Sequence, residues 1–437
     1  MVSAFPGKQL CAAVLAFLAA ASMWYYVRQI SVPHQVQDGV RTDRPRGNLS
    51  DLYPRWLGAR ELLLHGRDPY SEEVTREIQR GYYGREIDAA HPNDPKDQVG
   101  FAYPVYVVFL LAPTIRMNFD LVKLISFWFL TILAIVSVPM WERILGLPLR
   151  GWRTLIAVVL LLGSYPFIEA IALQQPLLLV AALLAASFLA RQQGWLVLSG
   201  VFLAVATIKP QVAFLPTMLM VMWVLGGWKA RQRWLWGFIA TMVVLLAASE
   251  YMLRGWLFHF YHAIKAYQSY MAGTSFLDWL VTPTWSFPAW LLIVSSVVWA
   301  GWRVRLFAPD TFAARRVLCV ALVAVVCTSP NLALYNQVLL VPGVLLWFEH
   351  RKSWRSSGIS ARTLSRLLVA LLAWPWIACG ILITAKILLR NEQFVQRMWQ
   401  LPHYATLSLP IVLLTLLLVA PAEVSSQRTS PALEIVA

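Results

Sequence analysis

Three features of this 437-residue chain have the residue types that chemistry needs. They are an aspartate heading a polar island, a lysine wedged between two apolar runs, and a glutamine pair that interrupts a third. Asp51 opens the stretch DLYPRWLGARELLLHGRDPY (residues 51 to 70), inside a polar segment spanning roughly residues 30 to 100 that holds 12 of the chain's 22 acidic residues. A carboxylate able to take a proton from a substrate is therefore sought here first. The bland alternative is equally concrete: Asp51 stands where an N-cap of a helix over 52 to 64 would stand.

Lys209, in Lys209-Pro210-Gln211, follows an apolar run and is followed at once by another. A lysine near membrane depth is costly and usually has an anionic partner, such as a phosphate; otherwise it snorkels from a helix end to water. Gln174, Gln175 and Pro176 break two apolar runs, either around a polar cavity or simply as a tight turn. Glu169 is a second carboxylate of that cavity or a helix-end charge. Tyr335 and Asn336 follow Ser329-Pro330, where a helix should end, and serve as ligand contacts or as turn residues. His259, His262 and His403 read as interfacial. Cys11, Cys319, Cys327 and Cys379 lie in apolar segments without metal-ligand spacing, and read as small core residues.

These residues need a scaffold, and composition says which kind. The chain is 59% hydrophobic and only 14% charged, with a mean hydropathy of +0.59, where soluble domains carry about 25% charged residues. Recurrent apolar segments of near-spanning length identify an all-α polytopic membrane protein. The net charge of +15 then reflects basic cytoplasmic loops rather than nucleic-acid binding.

The apolar segments are read as twelve spans: 9–29, 121–142, 154–169, 176–190, 195–208, 211–227, 234–253, 284–302, 317–329, 334–348, 367–389 and 404–420. Segment 101–115 is too short to cross, at roughly 22 Å against about 30 Å of hydrocarbon, and is taken as partly inserted. This arrangement puts Arg143, Arg191, Lys229, Arg231, Arg305 and Arg351 in the cytoplasm with both termini; letting 101–115 cross would invert them all. The first segment exceeds a signal-peptide core and lacks a clear cleavage site, so it is read as a retained helix. Residues 1–420 form one membrane domain whose large first extracytoplasmic loop spans 30–120. Residues 421–437 form a disordered cytoplasmic tail. In the loop, Leu52, Trp56, Ala59, Leu63 and Leu64 give a helix with one apolar face, suited to the interface plane. Residues 72–79 form a second helix capped by Ser71, and 82–98 read as mobile turns.

The same residues resemble glycosyltransferase family 87, the polyprenol-phosphate-mannose-dependent, mannosyltransferase-like membrane proteins of the GT-C superfamily. The resemblance rests on Asp51 with Ala59, Leu63, Gly66 and Asp68-Pro69-Tyr70. It continues through Phe101-Ala102-Tyr103-Pro104, Pro113, Gln175, Gly200, Lys209-Pro210 and Ser329-Pro330, covering about residues 10 to 350. Where some members carry a histidine pair after the Ser-Pro, this chain has Tyr335-Asn336. The resemblance implies a GT-C-type bundle with amphipathic loop helices packed over it, in the bacterial cytoplasmic membrane. It also implies a polyprenyl-phosphate-sugar donor, a glycan or glycolipid acceptor, and Asp51 as catalytic base on the extracytoplasmic face. Lys209, assisted by Arg55 or Arg60, would hold the donor phosphate. Tyr70 and Tyr103 would stack on sugar, and Gln174, Gln175, Gln211, Tyr335 and Asn336 would line the substrate site. No cofactor and no metal are expected. A secondary transporter or lipid-linked sugar flippase is the main rival, predicting paired repeats and acids inside the spans; a non-catalytic scaffold would leave Lys209 and Gln175 without a role.

Overall fold

A computed structural model describes residues 7–44, 50–88, 90–271, 275–330, 332–356, 358–404 and 406–419; the expected tail from residue 421 lies outside them. The described residues are helical, with no strand among them. Among the described residues six helices are long and apolar enough to cross a membrane: Gly7–Arg41, Phe119–Ile144, Trp228–Met252, Pro283–Val304, Ile359–Ile387 and Glu392–Val419. They become seven if the bent pair Gly151–Leu162 and Tyr165–Ala172 is one span, while Leu177–Gln192, Leu196–Ala206 and Pro210–Leu225 are apolar but shorter. The chain is thus an integral membrane protein, and Leu124, Ile125, Trp128, Phe129 and Ile132 of Phe119–Ile144 stay exposed as a lipid-facing side.

Several boundaries differ from the sequence reading. The first helix continues past residue 29 through a π-helical turn, Val27–Ser31, to Arg41, so the large loop starts later than expected. The expected straight span 154–169 is broken by 59°. Ser164 ends one helix and caps the next by accepting from the Phe167 amide, with a proline in the first turn. Segment 101–115 holds only a five-residue helix, Val107–Leu111, and a short 3-10 turn. Of the cysteines, three are buried, but Cys11 is exposed.

Short helices pack by close backbone approach. Leu196–Ala206 meets Trp228–Met252 where Gly200 faces the Trp234 and Phe238 backbone and Gly237 faces that of Val197, leaving no room for a Cβ at either glycine.

The loop is a built layer. Leu52–His65 buries Leu52, Arg55, Trp56, Ala59, Glu61 and Leu62 around most of its circumference, so it is packed in protein instead of floating with one face in lipid. Gly66 closes it at φ +66, its amide donating to Leu62 O at 3.1 Å. The second helix runs Glu72–Tyr83, longer than expected, with Ser71 accepting from the Val74 amide at 3.3 Å. Arg67 ties the two helices by bonding Glu61 and Glu77, each at 2.8 Å. Tyr83 bonds Asp97 O at 3.0 Å and Gln79 bonds Gln98, so the end of the expected mobile stretch is tied back to this helix. The Asp68 carboxylate accepts from the Tyr70 amide and meets His259 Nδ1 at 2.6 Å, pinning the turn to the Trp256–Met271 helix.

Candidate active site

The loop meets the bundle where Ser50 and Asp51 lie against the glutamine turn. The Asp51 amide donates to Leu173 O at 3.0 Å, and Ser50 Oγ donates to Gln174 Oε1. Gln174 adopts φ +45 and its own amide bonds Ile171 O at 3.0 Å, so this side chain fastens the loop. Gln175 faces the other way. Its Nε2 donates to Asp51 Oδ2, and its Oε1 accepts from Lys209 Nζ at 3.5 Å. An acid at one end and an ammonium at the other fix the orientation of that amide.

Asp51 sits at the N-cap position but makes no capping hydrogen bond. Its φ of −65° and ψ of −9° are already helical, whereas a capping side chain needs an extended backbone to reach the first-turn amides. The carboxylate is therefore not spent on the helix. Its Oδ1 lies 3.4 Å from the Tyr82 hydroxyl.

Lys209 stands in the break between Leu196–Ala206 and Pro210–Leu225 and is 4% exposed, so its ammonium does not snorkel to water. Nζ lies 4.8 Å from the centre of the Tyr335 ring. Arg55 is 2% exposed. Its Nε donates to Asp51 O at 2.7 Å and its Cζ lies 4.5 Å over the Tyr103 ring, yet Nη1 and Nη2 bond nothing among the described residues. Tyr103 is braced from behind, its carbonyl accepting from Tyr70 at 2.5 Å while Tyr70 stands edge-on to Phe101.

Burial pushes the Asp51 carboxyl above the usual carboxylate range; Arg55 pulls the other way, Asp97 adds to the rise, and Lys209 opposes it. Burial also lowers Lys209, to about 7, with Arg55 repelling its charge and Asp51 favouring it. Burial first, then Asp51, pushes the Tyr82 hydroxyl up, keeping it a proton donor. Two desolvated cations thus face one carboxylate, an arrangement suited to an added anion.

Glu169 lies behind this cluster. The Tyr335 amide donates to it, while its Oε2 is buried without a partner among the described residues. Asn336 is buried, its Nδ2 bonding Ser329 Oγ at 3.1 Å and its Oδ1 without a partner among the described residues. The structure therefore brings together Asp51, Gln175, Lys209, Arg55, Tyr103 and Tyr335, with Gln174 fastening the loop and Tyr70 bracing Tyr103, while the Asn336 side chain bonds Ser329. Two expected contributors lie elsewhere. Arg60 sits over the Trp56 ring at 5.6 Å, because five residues turn a helix about 140° away from the Arg55 face. Gln211 is exposed on the Pro210–Leu225 helix. Tyr82 and Ser50 were not read from the sequence. Tyr82 was within reach, since Val74, Ile78 and Tyr82 form one buried stripe at i, i+4, i+8.

No group of three or more His, Cys, Asp or Glu among the described residues is placed to hold a metal. Comparison with protein-family models, curated proteins and solved structures finds no match to the chain. Fold and site together define a helical integral membrane protein with a desolvated acid–amide–cation relay where its first loop joins the bundle.

Proposed function

We propose that the chain is an inverting membrane glycosyltransferase, moving a mannose-like sugar from a polyprenyl-phosphate donor to an acceptor hydroxyl. One observation carries the reading: Asp51 and Lys209 hold the two ends of Gln175, with the Nη atoms of Arg55, unbonded among the described residues, beside them. Asp51 takes the proton of the acceptor hydroxyl as that oxygen attacks the anomeric carbon. The bond from that carbon to the donor phosphate oxygen breaks, and the phosphate leaves with the electron pair, so a single displacement inverts the centre. Lys209 and the Arg55 fork offset the charge growing on the leaving phosphate. Tyr103, whose ring centre lies 4.5 Å from Arg55 Cζ, offers an aromatic surface for a sugar ring.

The resemblance to family 87 supports the same reading. It brings a GT-C-type bundle of about twelve spans, with the short apolar helices counted as crossings. It also implies a bacterial cytoplasmic membrane, with termini inside and Asp51 outside. One feature favours a transporter or flippase instead: Glu169 is a half-buried acid whose buried Oε2 has no partner among the described residues, inside a helix pair bent by 59°. Reconstituted protein, supplied with a labelled polyprenyl-phosphate sugar and an acceptor on the Asp51 side only, separates the two. Transfer without translocation supports the enzyme; translocation without transfer removes it.

A further inference from the structure

We propose that the bundle end opposite Asp51 carries a second anion site, taking a phosphate group between Arg191 and Arg305. Leu177–Gln192 begins two residues after Gln175 and ends just past Arg191, so one helix length, about 24 Å, separates this site from the first.

The Arg191 guanidinium is held between two rings, its Cζ 5.1 Å from the centre of Phe188 and 5.5 Å from that of Trp223. Its Nε is buried and bonds nothing among the described residues, and its Nη1 reaches only the Met220 sulfur, at 3.6 Å. Arg231 lies over the same Trp223 ring at 4.6 Å and spends Nη1 on the carbonyls of Trp223 and Arg305, each at 2.7 Å. Two cations therefore share one indole. Of the acids nearby, Glu142 accepts from Thr154 at 2.6 Å and Glu349 meets Arg153 at 3.1 Å, while Asp310, next to the lining Pro309, favours the charge of Arg315. Among the described residues Arg191, Arg231 and Arg305 form no ion pair.

Arg191 is half-buried, with a buried Nε unpartnered among the described residues; such a charge without a counter-charge is costly, and an anion with matching geometry removes the cost. The space for one is present. A cavity of about 30 Å³ is lined by Arg191, Trp223, Gly301, Arg305, Pro309 and Leu318, room for a single water-sized group. Such a space takes one oxygen of a tetrahedral oxyanion against Arg191, with the others at the mouth beside Arg305, whose Nη1 donates to Trp302 O at 2.7 Å and whose Cζ lies 3.8 Å from the Trp302 ring centre. The guanidinium fork suits phosphate oxygens. The group could arrive as a soluble ion or as a lipid headgroup, and the chemistry at the arginine is the same.

The test measures thermal unfolding of the full chain in detergent with inorganic phosphate against chloride at equal ionic strength. In bilayer discs it compares phosphatidylglycerol with phosphatidylcholine. The wild type should rise by about 3 °C, saturably, at about a hundred times Kd in at least one arm. A response to phosphate alone assigns a soluble ion, and one to phosphatidylglycerol alone assigns a headgroup. Arg191→Met should be at least as stable as the wild type without the anion, because a half-buried charge without an acidic partner among the described residues is gone, and should lose the response. No response in either arm, or an equal one in Arg191→Met, overturns the site. Should that variant not accumulate folded, Arg305→Gln decides: about threefold weaker apparent binding supports the site, and unchanged binding overturns it.

Discussion

Asp51 and Lys209 do not pair directly; they hold the two ends of the Gln175 side-chain amide. The spacing matters for what each can do. A direct ion pair would lower the acid's basicity and neutralise the cation. Relayed through a neutral amide, the carboxylate stays raised by burial and the ammonium stays open to an incoming anion.

Asp51→Asn is expected to cut sugar transfer by about 10²- to 10⁴-fold, while the new carboxamide oxygen still accepts from Gln175 and the fold is retained. Because Asp51 caps no amide, Asp51→Ala should not show the loss of about 1 kcal/mol that removal of an N-cap gives. Turnover assays with circular dichroism melts check both. Full turnover by folded Asp51→Asn would remove the base.

Arg55 and Arg60 share a helix and should behave differently. Arg55→Gln takes away two unbonded Nη groups in a desolvated site and is expected to lower kcat/KM for the donor by about 10²- to 10³-fold. Arg55→Lys should recover only part, lacking the fork. Arg60→Gln, over Trp56 and away from Lys209, should stay within about threefold, as partly exposed charges do. Equal losses in both variants would contradict the geometry.

Much of the site could be read from the letters, and the failures have physical reasons. Lys209 and Gln175 stood out because a polar side chain in an apolar run must be explained by a partner. The contribution expected of Arg60 failed on helix arithmetic that the sequence already contained. The N-cap reading of Asp51 could not be settled without its backbone angles, since the same residue type serves both roles. The break at Gly163-Ser164 was hidden because the residues around it are apolar enough for a straight span. Ser164 with Pro166 was its only mark. Arg191 read simply as a loop charge, because nothing in its local sequence says that Phe188 and Trp223 enclose it.

Orientation is open to a direct check. Lys96 and Lys229 are both exposed, one in the large loop and one at the start of Trp228–Met252, so a cysteine at either reacts without disturbing packing. In intact cells, a membrane-impermeant maleimide should label Lys96→Cys and leave Lys229→Cys unlabelled until the membrane is opened. The reverse pattern would put Asp51 on the side away from the proposed donor, and equal labelling would place both loops on one side.

The pH profile tests the relay itself. Asp51 must be ionised to accept a proton, and burial raises it. The acid limb of kcat/KM should therefore lie above the ordinary aspartate value of about 4, with activity lost as pH falls through it. Lys209 must be protonated to hold phosphate, and burial brings it to about 7 in the free protein, so activity should fall as pH rises through that value. Once the donor phosphate is bound, its charge favours the ammonium, and the alkaline limb of kcat should move upward relative to that of kcat/KM. Lys209→Arg keeps its charge throughout this range, so whatever its overall rate, its alkaline limb should vanish. An alkaline limb unmoved in Lys209→Arg would mean that another group titrates there, and that Lys209 is not what meets the anion.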